Sequence, residues 1–126
     1  MKRSITISAK DGSGKFDAYV SVPASGKGPG LVLLQEIFGV NDTMRQVADY
    51  YAEEGYVVVV PDLFWRQEPN VELDYDVESW KKAFGFYQGF DQDKGIEDIA
   101  SHDVEDHILE RNTALGLQLN ILFSVP

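Results

Sequence analysis

Cysteine is missing altogether from this 126-residue chain, which removes disulfides, thiolate metal ligands and cysteine nucleophiles at once. Equally absent is any apolar run of the roughly 20 residues that a membrane helix requires. The start, Met1-Lys2-Arg3-Ser4, carries positive charge, but the stretch after it alternates instead of forming the apolar core of a signal peptide, so a cytoplasmic location is expected. Positive charge is scarce: 11 Lys and Arg face 21 Asp and Glu, a net charge of −10. No basic cluster offsets that field, which argues against nucleic-acid binding and reads as a device for solubility. Repeats and low-complexity stretches are lacking too, so the length implies one domain with one core. Against these absences stand 7 Phe, 6 Tyr and 2 Trp in a chain that is 44% hydrophobic, enough to fill such a core.

Patterning supplies the architecture. Residues 5–9 alternate apolar and polar, as do residues 16–22, and Asp11-Gly12-Ser13-Gly14 between them tolerates positive φ; the pair reads as an antiparallel hairpin. Leu31-Val32-Leu33-Leu34 does not alternate, the signature of a strand covered on both faces. Asn41 and Asp42 then cap a helix whose apolar face is Met44, Val47, Ala48, Tyr51 and Ala52, with Gly55 at its left-handed end. Tyr56-Val57-Val58-Val59-Val60 is a second buried strand, stopped by Pro61. Strand, helix and strand within so short a span make a βαβ unit on a parallel sheet. An irregular stretch to Tyr75 precedes a helix with Val77, Trp80, Ala83, Phe84 and Tyr87 on one side. Another begins near Asp91, with Ile96, Ile99, Ala100, Val104 and Ile108 on one side. Residues 117–126 alternate and suggest a last strand. The fold class is α/β, with layers ordered αβα.

Ligands of open α/β sheets gather beyond the carboxyl ends of the parallel strands. Two segments leave such ends: Gln35-Glu36-Ile37-Phe38-Gly39 and Pro61-Asp62-Leu63-Phe64. Glu36 follows four apolar residues, so strand geometry delivers its carboxylate to the rim of the core, where a charge is costly unless partnered. Two readings stay open: a group that polarises a nucleophile or substrate, or a strand-end acid paired with a backbone amide or with Arg45. Amides after Gln35, freed by a turn at Gly39, are candidate donors to a developing oxyanion. Asp62 reads as a strand-terminal acid capping the next turn. Arg66, Lys81 and Lys82 are candidate contacts for an anion, or solvated surface charges. His102 and His107 are five residues apart, not the four that would stack metal ligands on one helical face, so no metal site is assigned. Trp80, Phe84 and Tyr87 have helical spacing and are expected in the core, not around a cofactor.

Gln35-Glu36-Ile37-Phe38-Gly39-Val40-Asn41, with Met44-Arg45 after it, resembles a signature of the dienelactone hydrolase (carboxymethylenebutenolidase) family. The likeness continues through Glu54-Gly55-Tyr56, Val59-Val60-Pro61-Asp62-Leu63-Phe64, Arg66-Gln67, Phe90-Asp91 and Gly95-Ile96-Glu97-Asp98, and covers roughly residues 5–100. The resemblance implies an α/β-hydrolase fold, hydrolysis of a small lactone or ester, and no cofactor. It implies a Cys-His-Asp triad whose cysteine sits on a G-x-C-x-G elbow. It matches Glu36 with the glutamate that helps form the cysteine thiolate, and the Ile37 amide with half of the oxyanion hole. Lys81 takes the place of a basic residue that holds a substrate carboxylate, although lysine lacks the two parallel bonds of arginine.

After about Ile99 the likeness stops. No G-x-C-x-G or G-x-S-x-G follows; residues 101–126 read as a divergent tail on one incomplete hydrolase domain, and no nucleophile is assigned. Ser124 is the one hydroxyl near an elbow-like position, and it lacks flanking glycines and a following helix. The expectation is a truncated or divergent family member, inactive as this chain alone. Alternatives are a non-catalytic α/β module that binds a partner or small ligand, and a change of reading frame near Ile99. Without an elbow strand beside it, Leu31-Val32-Leu33-Leu34 would be a bare apolar edge. Either the alternating segment near the C-terminus covers it, or a second protomer does, as a homodimer.

Overall fold

The computed structural model describes residues 2–101 and 119–123. Its elements run β1 (Lys2–Ser8), β2 (Lys15–Ser21), β3 (Gly30–Leu34), α1 (Asp42–Glu53), β4 (Val57–Pro61), α2 (Val77–Gln88), α3 (Gln92–Ile99) and β5 (Leu119–Phe123). The strands form one five-stranded sheet in the order β1-β2-β4-β3-β5. The hairpin is antiparallel, with Ile5 opposite Ala18, and β2 pairs antiparallel with β4. The pairs β3–β4 and β3–β5 are parallel.

The two stretches without alternation lie in the interior of this sheet. All five residues of β3 and all five of β4 are buried, because each strand presents side chains to an apolar layer on both faces. On one face Leu31, Leu33, Val58 and Val60 pack against Met44, Ala48 and Ala52 of α1. On the other, Val32, Leu34 and Val59 pack against Ile7, Phe16, Ala18 and Val20 of the hairpin, with Phe90, between α2 and α3, and Ile99, at the end of α3, alongside. The layers are therefore αβα. Asn41 caps α1 by accepting from the Met44 amide at 3.1 Å, and Gly55 at φ 105° follows its end.

β5 lies along the whole of β3, from Gly30 opposite Leu119 to Leu34 opposite Phe123. Of the two coverings expected for that edge, the structure has the one within the chain.

Two helical faces differ from expectation. Val77, Trp80, Phe84 and Tyr87 are not core: they are 69%, 50%, 47% and 54% exposed. The face of α2 that packs is offset from them. It contains buried Ala83 and half-buried Phe86, whose ring stacks on Phe64 at 5.4 Å. Two apolar stripes overlap on this helix, and the one aligned with Phe64 wins. In α3 the buried residues are Gly95 and Asp98, while Ile96 is exposed; a Cβ at Gly95 would lie 2.4 Å from the Phe90 ring, so the helix approaches through its smallest residue. Val104, Ile108, both histidines and Ser124 lie outside the described residues. Among the described residues no helix is long and apolar enough to cross a membrane.

Candidate functional site

At the carboxyl end of β3 the chain makes a tight turn in which the Gly39 amide donates to the Glu36 carbonyl at 3.2 Å. Gly39 takes φ 83°, and a Cβ there would lie 2.0 Å from the Val71 carbonyl oxygen. Only glycine fits both the dihedral and the approach. Gln35, one residue before Glu36, ties this exit to that of β4: its Oε1 accepts from the Leu63 amide at 2.8 Å and its Nε2 donates to the Glu36 carbonyl at 3.2 Å.

The stretch between β4 and α2 has no helix or strand, but part of it is a strap sewn across the turn. Gly39 forms an antiparallel bridge with Glu72, and the Leu73 amide donates to the Phe38 carbonyl at 2.9 Å. Asn41 donates through Nδ2 to the Leu73 carbonyl at 3.0 Å and to the Tyr75 hydroxyl at 3.3 Å. One asparagine thus caps α1 and anchors the strap.

Glu36 is half-buried, and the Tyr75 hydroxyl donates to its Oε1 at 3.2 Å. It does not pair with Arg45, the arginine weighed as its partner. Arg45 instead donates to the Val40 carbonyl at 2.9 Å and pairs with Asp42 and with Glu72, the latter at 2.7 Å. The Ile37 amide, next to Glu36 on the same turn, has no acceptor among the described residues. Glu36 and Ile37 are therefore brought together at the carboxyl rim of the parallel strands.

Lys81 is more remote. Phe38 packs edge-on against Tyr75 at 4.6 Å and Trp80 at 5.7 Å, which sets the first turn of α2 over the strand exit. Lys81 follows Trp80 but is 72% exposed, and its Nζ lies 3.6 Å from Glu78. No ion pair joins it to Glu36 among the described residues. Lys82 lies 3.8 Å from Glu68.

Asp62 caps the stretch after β4, as its position suggested. Its Oδ2 accepts from the Asn70 amide at 2.7 Å, and the Phe64 amide lies near enough to favour the charged form. It is 4% exposed, and its Oδ1 has no partner. Burial raises its pKa from 3.8 to about 6, against the opposing pull of those amides and with a small push from Asp17.

Arg66 is not free for an anionic ligand. It makes two bonds to buried Asp98, at 2.8 and 3.2 Å, while its guanidinium lies over the Trp65 ring at 4.5 Å. Trp65 Nε1 donates to the same carboxylate at 2.8 Å. Arg66 also donates to Ser13 Oγ at 2.8 Å, and Lys94 reaches Asp11 at 3.0 Å. Among the described residues no group of three His, Cys, Asp or Glu could hold a metal.

The residues missed from the sequence are Gln35, Tyr75 and Asp98. Tyr75 had no local signal, since its partners lie 39 and 34 residues away. Asp98 had a weak one: an acid directly before Ile99, three residues after Gly95 and on the same helical side.

Residues 16–114 match the model of the dienelactone hydrolase family. The chain is 53% identical over 92 residues to a protein of Azospirillum brasilense, covering 71% of this chain and 39% of that protein. It is 38% identical over 100 residues to the carboxymethylenebutenolidase of Pseudomonas putida, covering 79% of this chain and 42% of that one. Its fold resembles that of a dienelactone hydrolase-like promiscuous phosphotriesterase from metagenomic libraries, with a TM-score of 0.64 at 18% identity over 97% of this chain and 48% of the other. The chain thus spans about two fifths of the length of the curated relatives it matches. With the family model matching residues 16–114 of 126, the chain belongs to the dienelactone hydrolase family.

Proposed function

We propose that this chain carries one half of a lactone- or ester-hydrolysing site, and that by itself it does not turn substrate over. The observation that carries the reading is the pairing of Glu36 with an unengaged Ile37 amide on the turn that leaves β3. When a nucleophile attacks an ester carbonyl, negative charge develops on the carbonyl oxygen, and a backbone N–H held in place stabilises it. A carboxylate beside the same point can accept the proton that the nucleophile gives up. Ile37 and Glu36 are assigned these two roles. Lys81, on the helix set over the turn by Trp80 and Phe38, is assigned attraction of a substrate carboxylate. No attacking group is assigned, for the sequence holds neither a cysteine nor a G-x-S-x-G elbow.

The test is turnover of p-nitrophenyl acetate and of a dienelactone by the purified chain. The expected rate equals that of buffer. Robust activity that persists in Glu36→Ala and through further purification overturns the reading.

One observation favours a second reading, a non-catalytic binding module: Val77, Trp80, Lys81 and Phe84 line an open apolar hollow on α2. Saturable quenching of tryptophan fluorescence by a dienelactone, lost in Trp80→Phe and without turnover, is the result it requires.

A further inference from the structure

Asp62 does more than end a strand. Its two oxygens have different surroundings: Oδ2 accepts from the Asn70 amide at 2.7 Å, whereas Oδ1 is buried without a partner beside a cleft of about 190 Å³. The cleft is lined by Asp17 and Tyr19 of β2, Arg45 of α1, and Asn70, Val71 and Glu72 of the strap. None of the charged groups facing it is a free counter-ion for Asp62. Arg45 is engaged by Asp42 and Glu72, the Tyr19 hydroxyl donates to Asp49 at 2.7 Å, and Asp17 is itself an acid. What Asp62 grips is the chain at Asn70, the one non-glycine residue among those described with a positive φ, 60°. The next two residues close on the site. The Val71 carbonyl fills the space above Gly39, and Glu72 bridges to it.

We propose that Asp62 is a positioning residue for the turn carrying Glu36 and Ile37, acting through Asn70 and the 71–72 segment that clamps Gly39. This rests on the assignment of that turn as the oxyanion half-site. Mechanically the path is short: carboxyl to Asn70 amide, Asn70 to Val71 and Glu72, and from these to Gly39, two residues from Ile37. A protonated carboxyl accepts more weakly than a carboxylate and can donate into the cleft. The grip on Asn70 therefore changes when Asp62 gains or loses its proton. Burial brings that event to about pH 6.

The test uses the intact chain, ¹⁵N-labelled throughout and ¹³C-labelled at Asp carboxyls, followed by NMR from pH 5 to 8. The proposal expects the Ile37, Gly39 and Asn70 amide resonances to move in one step sharing the midpoint of the Asp62 carboxyl. In Asp62→Asn, which keeps an oxygen for the Asn70 amide but cannot titrate, that step at Ile37 and Gly39 should vanish. Ile37 and Gly39 staying still while the Asp62 carboxyl titrates, or their step surviving in Asp62→Asn, overturns it; where that variant does not fold, the wild-type titration decides alone. The measurement reads the turn and not turnover. A negative result leaves the half-site assignment standing, and ester turnover that survives Glu36→Ala leaves the coupling standing.

Discussion

Gly39 concentrates the demands made on the site's backbone. A side chain there meets both an unfavourable φ of 83° and the Val71 carbonyl oxygen at 2.0 Å, which is backbone and cannot swing away. Gly12 has a similar φ of 76° with open space around it. Gly39→Ala should cost well over the ~1 kcal/mol of dihedral strain expected of Gly12→Ala, read as the difference in urea midpoints. Asp62 supplies a prediction with a definite sign. Its carboxyl titrates near 3.8 in the unfolded chain and near 6 in the folded one, so between those values the folded state holds more protons. Stability from this group therefore falls as pH rises from about 4 to about 6, by at most ~3 kcal/mol, and is level above that. The difference between wild type and Asp62→Asn, measured by thermal unfolding at pH 4.5 and 7, should shift in favour of the variant at the higher pH. Asp98 is 1% exposed and bonded to both Arg66 and Trp65. Asp98→Ala leaves the Arg66 guanidinium only its longer pair with Asp11, at 3.4 Å, and its bond to Ser13, and should destabilise by about 2 kcal/mol or more, again by urea denaturation.

Helix α2 shows what periodicity does and does not say about an element. Its existence was legible from the spacing of Val77, Trp80, Ala83, Phe84 and Tyr87, yet of that face only Ala83 is buried and the other four are exposed. The helix carries two stripes of apolar residues, and nothing local says which one meets the sheet; Phe64, in another segment, decides. Substitutions separate the two stripes: Phe84→Lys should change stability by no more than about 0.5 kcal/mol, while Ala83→Asp, which buries a charge, should cost more than about 2 kcal/mol. The β3–α1–β4 unit was readable in full because complete burial on both faces leaves an unbroken apolar string, and because Asn41 and Gly55 mark the helix ends with their own chemistry. The strap was not. Its bonds join Asn41 to Leu73 and Glu36 to Tyr75, and such long-range pairs leave no periodic trace. Of the site, the turn and its glutamate could be read from position after a strand, whereas the tyrosine that bonds Glu36 could not.

At the scale of the whole molecule, the sheet depends on a pairing between residues far apart in sequence. β5 lies against β3, and without it a five-residue apolar strand would present unpaired amides at the edge. A chain ending at Ser101 should therefore self-associate more than the 126-residue chain at equal concentration. Multi-angle light scattering reads this directly, and equal masses for the two would remove β5 as the protecting strand.

The charge network around Arg66, whose guanidinium lies over the neighbouring Trp65 ring, reaches two distant parts of the chain: the hairpin tip at Asp11 and Ser13, and α3 at Asp98. Loosening either one exposes ionic groups in the other. The hairpin tip, a place where proteases usually cut first, is thereby tethered to a helix more than eighty residues later. Nicking at that tip should report on the integrity of α3, and the two regions should lose amide protection together as one cooperative unit.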